Sequence, residues 1–281
     1  MTTAAATDQG SDGLYVVGSP GASPVEVVGG LPTPLGLVWS GEVLYVASTG
    51  RVDAFSGLQA VRFAKDEVIA RWPASVGESN NIVQAPDGGL LVGVSAPCDH
   101  CNPASPMSAA ILTLRPDGSD LRIYASGIRA PFGLVYYPGT SDLFVTMNQR
   151  NDLGSRTPGD WLAEVRGGEN WGFPGCYGQA GVACGGVPDP IAVLDQHAAV
   201  GGVAILTGQL GSSVGTSAIV AEWMAGKVQR VPLARSGSTY RGSVKPFLAG
   251  LKRPLPVLAT SDGSQLVGDW GTGTIYRITK R

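Results

Sequence analysis

The sequence predicts an all-β chain folded as a β-propeller, and three observations carry that prediction. A unit recurs in which a strand opens after Pro or Gly, a turn follows, a second strand runs apolar and a third comes after it. The copies read PLGLVWSGEVLYVAS from Pro34, NNIVQAPDGGLLVGVS from Asn80, PFGLVYYPGTSDLFVTMN from Pro131, VGGVAILTG from Val200 and PLPVLATSDGSQLVGDW from Pro254. A period of roughly 40–60 residues with four short strands per unit is the pattern of propeller blades. Inside the units apolar and polar residues alternate with a period of two, which sends successive side chains to opposite faces of a sheet. Finally, 41 glycines and 20 prolines stand against only 15% charged residues, a mix suited to many tight turns between half-buried strands.

The first unit places strands A to D at residues 35–39, 43–47, 51–55 and about 68–72. The second places them at 82–85, 90–94, 110–114 and 121–125, with turns at Pro86-Asp87-Gly88 and Pro116-Asp117-Gly118. The third has 133–137, 143–147, 161–165 and 191–194, and the fourth 203–206, 218–221, 227–231 and 245–248. The last has 256–260, 265–268 and 274–278, turning at Ser261-Asp262-Gly263, and lacks a fourth strand. Residues 24–31, PVEVVGGL, end as the D strands LRIYASGI and VKPFLAGL do. This segment is expected to pair into the C-terminal blade and close the ring, which removes an open sheet edge. Five units are countable, and residues 14–17 read as a further strand that leaves room for a sixth. The division is a flexible tail at 1–13 and one propeller domain over 14–281.

Composition narrows the partners. With 43% apolar residues the chain can bury a core. Net charge is −2, and no basic stripe marks a nucleic-acid surface. No apolar run approaches the ~20 residues of a membrane-spanning helix. The opening MTTAAATDQGSDG has neither the basic nor the apolar region of a signal peptide. The four cysteines fall in two local pairs, Cys98/Cys101 and Cys176/Cys184. Such pairs point to disulfides and to a secreted, periplasmic or cell-surface protein.

In a propeller the D–A and B–C loops share one face, and here they carry the chemistry-bearing residues. Both histidines, His100 and His197, fall on them, and imidazole titrates nearest neutrality. Cys98, His100, Cys101 and His197 make a donor set suited to Zn or Cu. A Cys98–Cys101 disulfide and free thiols are the competing readings. Arg129 at the channel mouth suits bidentate recognition of a carboxylate or phosphate, or forms a surface ion pair with Asp152. Asn148, Gln149, Arg150 and Asp152 are fit for sugar hydroxyls or Ca²⁺, or for holding their own loop to its backbone. Trp171, Trp223 and Trp270 serve as stacking platforms or as core. The same loops bring in Glu78, Asn80, Glu222 and Asp269.

The segments APDGGLLVGVS, GIRAPFGL, GGENWGFPGC and DGSQLVGDWGTGTIYRI resemble those of the soluble pyrroloquinoline-quinone (PQQ)-dependent sugar dehydrogenases, the glucose/aldose/sorbosone dehydrogenase-like propellers. The likeness runs from about Pro34 to Ile278. It implies a six-bladed propeller that oxidises a sugar with PQQ and Ca²⁺ on the upper face. Arg129 matches the family arginine that contacts the quinone, with Asp269 and Trp270 near the same cofactor. The chain departs from the pattern elsewhere. Ala130 stands where the family has Asn, Met224 where it has a quinone-binding Lys, and Gly77, Glu78, Ser79 and Asn80 where it has the catalytic His-x-Gly-Gly. A replacement base would come from His197, His100 or Glu78. Asn80, Asn148, Gln149, Arg150, Asp152 and Trp223 are then the substrate contacts.

The expected function is oxidation of a sugar or polyol at the upper channel face. The alternatives are a non-catalytic propeller that binds a ligand or a protein, and a Cys/His metal site on the same face.

Overall fold

The strands expected from the alternation form, and they assemble as antiparallel blades. The computed structural model describes residues 2–3, 12–176 and 184–280. Blade 1 comprises Gly36–Ser40, Val43–Ser48, Arg51–Ser56 and Lys65–Arg71. Blade 2 comprises Ser79–Gln84, Leu90–Val94, Ala110–Leu114 and Arg122–Ala125. Blade 3 comprises Pro131–Tyr136, Leu143–Met147, Trp161–Val165 and the short Ala192–Val193. In blade 4, Val200–Thr207 and Thr216–Glu222 are followed by the long Lys227–Ser236, which pairs with both Thr239–Gly242 and Lys245–Ala249. Blade 5 has three strands, Pro254–Ala259, Gln265–Asp269 and Thr274–Ile278. Among the described residues the only helical turns are Ala74–Val76 and Gly154–Arg156.

The N-terminal segment corrects one expectation. Val25–Gly29 does not enter the C-terminal blade. It pairs with Gly13–Val16, which in turn pairs with Thr2–Thr3, in a separate three-stranded sheet. The strand near residues 14–17, left without a place by the repeat, is the reason: it offers Val25–Gly29 a partner eight residues upstream, closer in sequence than any C-terminal edge.

The first strands of successive blades run side by side around the axis. Crowding there selects small residues. A Cβ on Gly36 would come within 2.6 Å of the Asn81 backbone, and one on Gly133 within 2.8 Å of Gly201 O. Away from the axis, period-two alternation sends neighbouring residues into different inter-blade layers. Val92 and Leu112 pack with Val52 and Trp72 between blades 1 and 2. Leu91 and Ile111, one residue earlier on the same strands, pack with Leu143 and Val145 between blades 2 and 3. Phe144 then faces Ile205 and Val220 of blade 4, and Leu206 and Ile219 face Val257 and Val267 of blade 5. Leu14 and Leu31 pack the N-terminal sheet on Leu44 and Phe55. Each such buried side chain contributes about 1.5–3 kcal/mol, so the stack of layers fixes where the loops emerge.

Candidate functional site

The D–A and B–C loops meet as the repeat requires, and Asp99 and Arg129 tie three of them together. Asp99 lies inside the four-residue loop closed by the Cys98–Cys101 disulfide. Its carboxylate accepts from Arg129 Nη2 (2.7 Å), from Asn151 N (2.9 Å) and from Asp152 N (2.8 Å). Arg129 Nε donates to Asp99 O (2.8 Å) and Nη1 to Asn148 O (3.1 Å). Every guanidinium nitrogen is therefore engaged by protein. Burial pushes the Arg129 pKa down, against the opposing charges of Asp99, Asp160 and Asp152. The ion pair expected with Asp152 is thus made with Asp99 instead. Asp152 is taken by Arg150 in a bidentate pair (2.6 and 2.5 Å), which holds its carboxyl down at about 2.

Asp160 anchors the other end of this loop. One carboxylate oxygen accepts from Gln149 N (2.7 Å) and the other from Val200 N (3.2 Å). Burial pushes its pKa up to about 6, with the two N–H groups and Arg129 opposing and Glu222 adding to the rise. His197 closes the loop from the next blade. Its ring nitrogens lie 2.8 Å from Asn151 Oδ1 and 3.0 Å from Gly154 O, so the expected base is tied to loop backbone and amide. His100 is exposed and meets Phe173 edge-on, with ring centroids 6.5 Å apart. Glu78 is exposed.

The expected metal set is overturned. Cys98 and Cys101 are joined to each other, as are Cys176 and Cys184, so no thiolate is left to join His100 and His197. Among the described residues no group of three or more His, Cys, Asp or Glu could hold a metal ion. The carboxylates beside Asn148, those of Asp99 and Asp152, already accept from N–H donors, which argues against Ca²⁺ there.

Asp269, expected as a cofactor contact, accepts from Lys252 N (2.9 Å), Arg253 N (2.7 Å) and Gly271 N (3.2 Å). Burial raises its pKa, but these donors outweigh burial and the net shift is downward. Glu222 does the same work one blade earlier, accepting from Asp195 N (3.3 Å). Both carboxylates end a B strand and clamp the loop leading into strand A of their own blade. Trp223 and Trp270 do lie together, 6.1 Å apart, with Arg253 over the Trp223 ring at 4.5 Å, and Trp270 is 51% exposed.

Three carboxamides on this face are left open. Asn80, 1% exposed, donates to Ser95 Oγ (2.7 Å) and Pro131 O (3.0 Å), but its Oδ1 has no partner. Asn148 donates to Val200 O (3.1 Å), and its Oδ1 is also open. Gln149, 2% exposed, has no partner for either Oε1 or Nε2. It lines a cleft together with Arg129, Trp161, Trp171 and Phe173. Asp99, Asp160, Trp161 and Phe173 were not assigned roles by sequence reasoning. The one available signal was the acidic residue enclosed between two closely spaced cysteines.

Solved structures give the fold a context. The chain is similar to the PQQ-bound form of the aldose sugar dehydrogenase of Streptomyces coelicolor, at 18% identity and a TM-score of 0.69 over 97% of this chain and 88% of that one. It is similar to the soluble aldose sugar dehydrogenase of Escherichia coli in its apo-form, at 16% identity and a TM-score of 0.73 over 98% and 91%. A calcium structure of a Trichoderma reesei carbohydrate-active enzyme of family AA12 aligns at 14% identity and a TM-score of 0.77 over 100% and 92%. At these identities the likeness is one of fold: the sugar-dehydrogenase β-propeller expected from the sequence. No sequence-family model and no curated protein match the chain.

Proposed function

We propose that the protein binds a sugar or polyol on the face where the D–A and B–C loops meet, as an oxidoreductase-type propeller whose quinone anchor has become a structural latch. The observation that carries this reading is the set of buried carboxamide atoms without protein partners: Asn80 Oδ1, Asn148 Oδ1 and both ends of Gln149. A buried polar group left unsatisfied costs about 1–3 kcal/mol. Hydroxyl groups, which both donate and accept, answer such atoms. The sugar-directed names of the fold neighbours support the same class of ligand. Two disulfides favour an oxidising location, secreted, periplasmic or at the cell surface.

The residues present do not fit a quinone held as in the resembled family. All three guanidinium nitrogens of Arg129 are spent on Asp99 and Asn148. Ala130 brings no amide beside it, and residues 77–80 carry no imidazole. Met224 is exposed where a lysine is expected, and the nearby Lys227 is paired with Asp195 and Glu222. A second reading, PQQ- and Ca²⁺-dependent oxidation of a sugar or polyol, is favoured by the fold neighbours. It requires Asp99 to release Arg129 and a base drawn from His197, His100 or Glu78.

Calorimetric titration with D-glucose, D-galactose, D-xylose and D-sorbitol tests the first reading. A dye-reduction assay after loading with PQQ and Ca²⁺ runs beside it. Binding of at least one of the four without dye reduction is expected. Binding of none overturns the reading, and PQQ-dependent reduction puts the second in its place.

A further inference from the structure

We infer that the Cys98–Cys101 disulfide is a thiol-exchange site, the bridge that a dithiol reductant opens first, and that its opening releases Asp99 from Arg129. The inference does not depend on which ligand the face binds.

The two disulfides differ in access. Cys98 and Cys101 are both partly exposed, and their loop neighbours Pro97, His100 and Asn102 are exposed. Cys176, one half of the other pair, is 3% exposed. Exchange begins when a thiolate reaches a sulfur, so exposed disulfides are the labile ones. The surroundings add to the difference, because reactive cysteines lie in partly exposed, electropositive places. His100 lies between the two sulfurs in sequence, and Arg129 Nε donates to Asp99 O at 2.8 Å. The Asp99 carboxylate, which would oppose a thiolate, is answered by Arg129 Nη2 and by the backbone N–H groups of Asn151 and Asp152.

The exchange balances with a dithiol as reductant. One of its thiolates attacks a sulfur of the pair, the Cys98–Cys101 bond breaks and a mixed disulfide forms. The displaced cysteine sulfur leaves as a thiolate and takes up a proton. The second thiol of the reductant then attacks the mixed disulfide and displaces the other cysteine sulfur, which is protonated in turn. The reductant departs as its own disulfide, having given two electrons and two protons to the protein.

The consequence lies in what the loop holds. The bridged cysteines are three residues apart, and the ring they close contains Asp99. From there Asp99 fastens the Arg129 loop and the Asn151–Asp152 loop to its own. Reduction frees the backbone of the ring, and holding Asp99 in place then costs more conformational entropy. The blade itself does not hang on the bridge, since Leu90–Val94 and Ala110–Leu114 on either side of the loop pair directly with each other. The dependence runs both ways: if the disulfide favours the Asp99–Arg129 contact, that contact favours the disulfide by the same factor.

The test is run on the full chain under native conditions. Dithiothreitol is added, free thiols are trapped with iodoacetamide over time, and peptide masses report each pair. Cys98 and Cys101 should be trapped at least about tenfold faster than Cys176 and Cys184, with the far-UV circular dichroism unchanged. In ¹H–¹⁵N spectra the Arg129 Nε signal should move on reduction. In buffers of reduced and oxidised dithiothreitol, Asp99→Ala should open the Cys98–Cys101 bridge at a reductant-to-oxidant ratio at least about fivefold lower than wild type. Arg129→Lys should shift it in the same direction, and serves as the second variant should Asp99→Ala fail to fold. Trapping of the two pairs at equal rates, or of Cys176 and Cys184 first, overturns the exchange site. An Arg129 Nε signal that stays in place, or a midpoint unshifted in both variants, overturns the release of Asp99.

Discussion

Arg129 and Gln149 line the same cleft and are in opposite states. Arg129 is the residue the family resemblance singles out, and each of its nitrogens is committed to Asp99 or Asn148. Gln149 is one amide of a polar loop expected to contact substrate, and neither end of its side chain has a partner. Residue type at an expected position therefore does not decide availability. A charged group satisfied within the fold stabilises that fold, whereas a buried amide left open costs stability.

The contrast breaks most sharply at Asp99. Asp99→Ala removes the acceptor for Arg129 and for the backbone N–H groups of Asn151 and Asp152. Because the pair is only partly buried, a loss of about 2–4 kcal/mol in urea unfolding is expected, somewhat below the cost of breaking a fully buried pair. Native mass spectrometry of the same variant should also reveal a gain in binding of PQQ, whose carboxylates suit a released guanidinium. Unchanged stability would mean that Asp99 is no latch.

Asp160 gives a pH signature of nearly the same size. Folded, it holds its proton up to about 6, while unfolded it releases it near the ordinary carboxylate value of about 3.9. Stability from this group is full below about pH 4 and is lost as pH rises through 6, by at most about 3 kcal/mol. Asp160→Asn lacks this dependence. The stability gap between wild type and variant should therefore be wider at pH 4 than at pH 7, read by urea unfolding at both. A gap that widens with pH contradicts the assignment.

Replacing both Cys98 and Cys101 with Ser opens the loop that carries Asp99. For so short a loop the expected cost is about 2 kcal/mol in the chain-entropy view. If Asp99 depends on the disulfide for its position, the double Ser variant and Asp99→Ala should be less than additive when combined. Full additivity would separate the disulfide from the latch. The smallest change is expected at Gln149. Gln149→Leu removes an unsatisfied buried amide and should stabilise by about 1 kcal/mol in a thermal melt, whereas a drop of similar size would reveal a structural role.

Much of the fold was legible because a propeller repeats itself. The recurring apolar second strand placed Leu90–Val94 and Leu143–Met147 within their sheets, the first after the turn at Pro86-Asp87-Gly88 and the second after the turn at Pro138-Gly139-Thr140. The N-terminal strands were harder, since the GGL ending of residues 24–31 looks like any D strand and carries no record of its partner. Val25–Gly29 pairs with Gly13–Val16 through backbone bonds that leave no mark in the sequence. The site was legible as a set of loops and not as a set of roles. Cys98-x-x-Cys101 points to a disulfide on paper while leaving a metal or free thiols open, and only the backbone brings the sulfurs together. His197 reads as a base until Asn151 and Gly154 are found at its two nitrogens. Gln149 and Asn148 were in the expected polar cluster, but whether an amide is satisfied depends on three-dimensional neighbours.

The most direct test follows the two side chains in one experiment. Two-dimensional ¹H–¹⁵N spectra of the wild type are recorded through a D-xylose titration, with the Gln149 Nε2 and Arg129 Nε signals assigned by Gln149→Leu and by Arg129→Lys. The account predicts that the Gln149 amide resonances shift saturably while Arg129 Nε, already bonded to Asp99, stays in place. A saturable shift at Arg129 Nε with a silent Gln149 would contradict it and return the ligand to the arginine.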